Sequence, residues 1–181
     1  LVAVKEFEPG TLAYSVNDET NMTLTGFIGF LDPPKPSADI SIKAIQKLGV
    51  GVKVLTGDNE IVTKKICKDV GISVQNVLLG AELENMNDEE LKTRLDHTNV
   101  LAKLSPIQKS RIIKLLQAKG HTVGFLGDGI NDAPALRDAD VGISVDTAVD
   151  IAKESADIIL LERDLMALRR GIIHGRKTFG N

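Results

Sequence analysis

Cysteine is nearly absent. Cys67 stands alone in 181 residues, which excludes an internal disulfide and any cysteine-based metal cluster. Beside Ile66 and Val70 it reads as small core packing. Tryptophan is missing and aromatics reach only 3%, so the core must be built from Ile, Leu, Val and Ala, the usual filling of a parallel sheet covered by helices. No run approaches the roughly 18 apolar residues of a membrane helix, and no signal peptide opens the chain. A net charge of −3 supplies no basic field, which argues against nucleic acid as a partner. His97, His121 and His174 have no ligand-like spacing, and there is neither a Ser/His/Asp or Cys/His arrangement nor a Gly-rich Walker lysine loop. With 43% hydrophobic residues, the chain can form one domain of ordinary size with a small appendage.

Helix and strand patterns alternate along most of the length. Leu1 to Val4 and Leu24 to Leu31 read as strands joined by a polar stretch, and Asp32-Pro33-Pro34-Lys35-Pro36 then breaks regular structure, marking a boundary or hinge. Beyond it, Ala38, Ser41, Ile42, Ile45 and Leu48 share a helical face closed by Gly49. A strand follows over Val50 to Leu55, then a helix marked by Val62, Ile66 and Val70, a short strand Val77 to Leu79, and a helix opened by Asn87 and running through Leu95. Val100 to Ala102 reads as a strand. Ser105, Pro106 and Gln108 stand in preferred cap positions of the next helix. Val141 to Val145 and Ile158 to Leu161 are further strands around a helix near Thr147 to Ser155, and Asp164 caps a last helix to about Lys177. Such alternation predicts an α/β fold with a doubly wound parallel sheet.

The chemistry concentrates between Thr122 and Asp140. An apolar run that reads as a buried strand stops at Gly127-Asp128-Gly129, placing the Asp128 carboxylate at a strand's carboxyl end, where open α/β sheets bind ligands. Asn131 is positioned to cap the following helix, Asp132 lies in its first turn, and Pro134 suits an early helical position. A carboxylate next to a helix start suits an oxygen-ligated divalent cation, usually Mg²⁺, paired with a phosphoryl group. Thr56-Gly57-Asp58 ends another strand, and its hydroxyl and glycine amide suit phosphate oxygens. Lys109, early in a helix, opposes the helix dipole and so implies a nearby anion.

The string Gly127-Asp128-Gly129-Ile130-Asn131-Asp132-Ala133-Pro134-Ala135-Leu136 resembles the hinge signature of the P-type ATPases, ion pumps that pass through a phosphorylated aspartate. Ala102 to Lys109 resembles the lysine motif of the same family and of haloacid dehalogenase-like phosphotransferases, and Asp32-Pro33-Pro34-Lys35 and Thr56-Gly57-Asp58 occur in the family's order. The resemblance implies the phosphorylation domain of such a pump at residues 37–181, a hinge at 32–36, and the last strands of the nucleotide-binding domain at 1–31. It implies that Asp128 binds the catalytic Mg²⁺, that Asn131 and Asp132 order that site, that Lys109, Thr56 and Gly57 hold the phosphoryl group, and that Asp58 and Asp32 lie on the ATP side. Residues 141–154 and 157–162 look most like the magnesium-importing branch. The implied partners are ATP, a transported cation, the remaining pump domains and membrane helices, at the cytoplasmic face of a membrane. The family's Asp-Lys-Thr-Gly-Thr nucleophile motif does not occur. It is expected to precede Leu1 in a longer protein, leaving the sheet here without the strand that carries it and the fragment open to dimerisation. A soluble haloacid dehalogenase-like phosphatase and a non-catalytic interaction module are the alternatives.

Overall fold

The computed structural model describes residues 1–10, 13–29, 35, 37–162 and 164–180. It divides into two units, Leu1–Pro33 and Pro34–Asn181. Asp32 and most of the proline-rich hinge lie outside the described residues. In the first unit, β1 (Val2–Val4) pairs antiparallel with β2 (Thr23–Gly26). The second strand therefore stops short of the expected Leu31, since β1 offers no partner beyond Val2↔Gly26. Phe7 and Tyr14 meet edge to face at 4.8 Å, and Lys5 donates to the Asp18 carbonyl at 2.9 Å.

The second unit contains two parallel sheets. In the first, β3 (Val54–Leu55) and β4 (Val77–Leu79) flank β5 (Val100–Ala102), and in the second β7 (Val141–Val145) lies between β6 (Gly124–Leu126) and β8 (Ile158–Leu160). The registers explain the layering. Val54 and Val77 both align with Val100, while Leu55 and Leu78 align with Leu101. Successive residues of a strand point to opposite faces. The valine layer accordingly packs with Ile42 of α1 (Ala38–Gln46), Cys67 of α2 (Glu60–Asp69) and Val70 at the carboxyl cap of α2. The leucine layer packs with Leu83 of α3 (Gly80–Glu84), Leu91 and Leu95 of α4 (Asp88–His97), and Ile112 and Leu115 of α5 (Pro106–Ala118). All three β5 residues are wholly buried, as a strand covered on both faces requires. Over the second sheet, α6 (Ala133–Asp138) and α7 (Asp150–Glu154) contribute Leu136 and Ala152, packed with Phe125 and Val145. The last helix, α8 (Leu165–Phe179), is capped by Asp164, whose carboxylate accepts from Met166 N–H at 2.9 Å.

Several local expectations are corrected. Residues 50–53 do not join β3, because β5 begins at Val100 and offers them no ladder partner. The buried stripe of α2 is Thr63 and Cys67, continued by Val70 at its carboxyl cap, not Val62 and Ile66, which are 45% and 39% exposed. The Thr63 hydroxyl can sit inside because it donates to the Asn59 carbonyl at 2.8 Å. Residues 147–149 stay outside α7, with Val149 N–H donating to the Asp128 carbonyl at 3.2 Å. The run before Gly127 forms a strand but not a buried one: Leu126 is 42% exposed, since β6 is an edge. Among the described residues, β3 and β6 each have a strand on one side only. The α/β fold with parallel strands is the expected one, and among the described residues its strands form two half-sheets with open edges.

Candidate phosphoryl-transfer site

The ends of β3 and β6 border one cleft of about 360 Å³, lined by Thr56, Lys109, Asp128 and Asp132 together with apolar strand residues. Four residues separated by up to 76 positions in sequence thus reach one volume. Local hydrogen bonds explain how each is held. Thr56 N–H donates to Leu101 O at 3.0 Å as β3 ends, and the chain after β5 returns two amides, Leu104 N–H to Thr56 O at 2.9 Å and Lys103 N–H to Asp58 O at 2.8 Å. Ser105 and Gln108 form the reciprocal capping box that starts α5. That start sets Lys109 one turn inside the helix, 8% exposed, with its ammonium 2.7 Å from Asp132 Oδ1. The anion demanded by a lysine at the positive end of a helix is therefore supplied by the chain itself.

Asp132 uses its second oxygen to accept from Gly129 N–H at 3.2 Å. The approach is close: an ideal Cβ at Gly127 would lie 2.6 Å from Asp132 Cβ, so only glycine leaves room for this carboxylate. Beneath the loop, the wholly buried Ser144 hydroxyl donates to Gly127 O at 2.9 Å. Ser144 was not legible as a site residue, because its signal is only a polar residue within the otherwise apolar β7. Asp128 is exposed, and among the described residues its carboxylate has no hydrogen-bond or ion-pair partner.

The remaining sequence candidates do not join the cleft. Asn131 is exposed in a 3-10 turn, Ile130–Asp132, and makes no cap bond; the turn is instead closed by Asp132 reaching back to Gly129. Gly57 and Asp58 are exposed beside the cleft, where the Thr56 hydroxyl and Asp58 carboxylate hydrogen-bond to each other at 3.1 Å. That contact occupies the hydroxyl expected to meet phosphate. Asp32 lies outside the described residues.

No group of three or more His, Cys, Asp or Glu suitable for a metal occurs among the described residues. Asp128, whose carboxylate is unpaired among the described residues, nevertheless fits Mg²⁺, which takes one or two carboxylates and completes its shell with water and substrate phosphate, whereas both oxygens of Asp132 are already committed to Lys109 and Gly129. One unpaired carboxylate beside a sheltered ammonium can hold a divalent cation and a phosphoryl group side by side.

An acid just past the end of one parallel strand and a lysine on a helix thus border the same cleft of an α/β fold. Residues 4–140 match the sequence pattern of the haloacid dehalogenase-like hydrolases, and the chain belongs to that family. It is 62% identical over 167 residues to a magnesium-transporting P-type ATPase of Salmonella typhimurium and 52% identical over 168 residues to one of Escherichia coli, covering 92% and 93% of this chain. A calcium-transporting ATPase of Bacillus cereus is 37% identical over 166 residues, 90% of this chain. The chain spans only 18–19% of the length of these relatives. Among solved structures, a zinc-transporting PIB-type ATPase matches with a TM-score of 0.65 and 28% identity, covering 82% of this chain and 20% of that one. The catalytic domain of a CPx-ATPase matches at 0.59 and 31%, covering 77% and 45%. No helix among the described residues is long and apolar enough to cross a membrane.

Proposed function

We propose that this chain is the phosphorylation-domain portion of an ATP-driven cation pump and contributes the Mg²⁺- and phosphate-binding side of an aspartyl-phosphate site. The observation that carries the reading is the meeting of Thr56, Lys109, Asp128 and Asp132 in one cleft between the open edges of β3 and β6. Asp128, exposed and unpaired, is the residue to hold the metal, and Mg²⁺ there would neutralise charge on a transferring phosphoryl group. Lys109 is held by Asp132 within reach of the same volume, so its ammonium can stabilise phosphate oxygens without being recruited from solvent. Ser144 and the Gly127 backbone hold the loop that aims Asp128. The acceptor aspartate and ATP-binding surface would come from other parts of the intact protein. Its strand would pair with the open edges of β3 and β6.

Magnesium is the favoured cargo, because identity to the two magnesium-transporting relatives, 62% and 52%, exceeds the 37% to the calcium-transporting one. The decisive experiment uses the intact pump, with phosphoenzyme formed from γ-labelled ATP and quenched in acid. Asp128→Ala should lower the labelled fraction by at least about tenfold, since metal stabilisation of phosphoryl charge is worth several kcal/mol. Normal phosphoenzyme in that variant would refute the assignment, and uptake of another cation in preference to Mg²⁺ would refute the cargo.

A further inference from the structure

On the second unit, α1 and α8 lie against each other and leave a groove of about 520 Å³ between them. The pairing is held from below by Ile42 and Leu165 in one apolar cluster, and at its end by Arg176, whose guanidinium donates to Leu48 O at 2.6 Å. Ala44, Leu48 and Met166 supply apolar lining, and Lys43, Lys47 and Arg169 supply three cations. The one carboxylate in the groove, Asp39, is already paired with Lys43 at 2.6 Å. Lys47 and Arg169 have no anionic partner among the described residues. The helix dipole accounts for Lys47, at the carboxyl end of α1, but not for Arg169, which lies in the second turn of α8 beyond the reach of either helix end. In a chain of net charge −3 this basic groove is a local segregation of charge.

We propose that the α1/α8 groove is a docking site for anionic phospholipid at a bilayer surface. Charge complementarity selects an anion, and the apolar lining selects one that carries hydrocarbon next to its phosphate. Long basic side chains suit this role, because their methylene stems lie along apolar surface while the charged ends meet headgroups. An extended acidic peptide is a poorer occupant, since helix faces have no free backbone groups to pair with it, unlike a sheet edge. Ile40, 65% exposed and also in the groove lining, adds an apolar contact at its margin. The groove is built from different helices than the phosphoryl cleft, so the proposal stands apart from the pump reading.

Flotation of the chain with phosphatidylcholine vesicles, with and without phosphatidylglycerol, tests it. The chain should float only with the anionic vesicles. Lys47→Glu/Arg169→Glu should weaken partitioning by about tenfold or more, as each basic residue near an anionic surface is worth roughly 1 kcal/mol. Lys64→Glu/Lys68→Glu, which makes the same charge change on the exposed face of α2, should retain binding. Matching thermal unfolding of the two variants shows that both are folded. Equal loss in both variants would reduce the effect to net charge and overturn the site. So would absence of binding at low ionic strength, or complete displacement from vesicles by glycerol phosphate at constant ionic strength, which would show a small-anion site.

Discussion

The ammonium of Lys109 lies 2.7 Å from Asp132, with only 10% and 14% of the two side chains exposed. Each residue neutralises the other in a poorly solvated place. Removing one leaves the other charged and sheltered, which costs about 3 kcal/mol for a buried pair. Asp132→Ala should therefore lower stability by about that amount, measured by denaturant unfolding. Lys109→Met/Asp132→Leu should recover much of the loss, because apolar replacement of both partners removes the unpaired charge. An additive double mutant would show that the two residues do not act as a pair.

Glycine substitutions should separate close approach from simple helix propensity. A Cβ at Gly142 would lie 2.4 Å from the backbone oxygen of Leu136, so Gly142→Ala must push α6 off β7. The expected loss is about 2 kcal/mol or more, in the range of overpacked cores. At Gly171, on α8, an added Cβ meets nothing within 4 Å, and Gly171→Ala should stabilise by about 0.5–1 kcal/mol. Thermal midpoints moving in opposite directions are the expected result.

Asp138 closes α6 against α5. Its carboxylate accepts from the Ser110 hydroxyl and pairs with Lys114 at 3.1 Å, and the hydrogen bond from Ser110, seconded by Lys114, holds its pKa below the usual carboxylate range. A depressed pKa in the folded state adds stability above the unfolded value, near pH 4, that is lost as pH falls through the folded value. Asp138→Asn should thus be less stable than the parent at pH 7, with the difference shrinking below about pH 4. A difference independent of pH would exclude this linkage.

The residues that carry local rules were the legible ones. Ser105, Pro106 and Gln108 form the cap their spacing implies, and Thr56, Lys109, Asp128 and Asp132 come to one cleft because strand ends and helix starts converge in parallel α/β folds. Asn131 failed because a 3-10 turn intervened before α6, displacing the cap by one residue. The exposed Leu126 and the packing face of α2 depend on which neighbours stand beside β6 and α2, a long-range matter that periodicity does not encode. Ser144 illustrates the same limit, since its partner, Gly127 O, lies 17 residues away in the loop that follows β6.

The open edges of β3 and β6 should govern the behaviour of the chain in solution. An edge strand carries unpaired backbone groups ready to join another strand, and Leu126, 42% exposed beside this edge, adds an apolar contact. The chain should self-associate with rising concentration, and sedimentation velocity would detect the dimer. A lysine on the edge opposes such pairing because its charge would be buried in the contact. Leu126→Lys should therefore shift the population towards monomer while leaving the Lys109 and Asp132 pair in place. Parent and variant sedimenting alike as monomers across the concentration range would show that the open edges do not recruit a second chain.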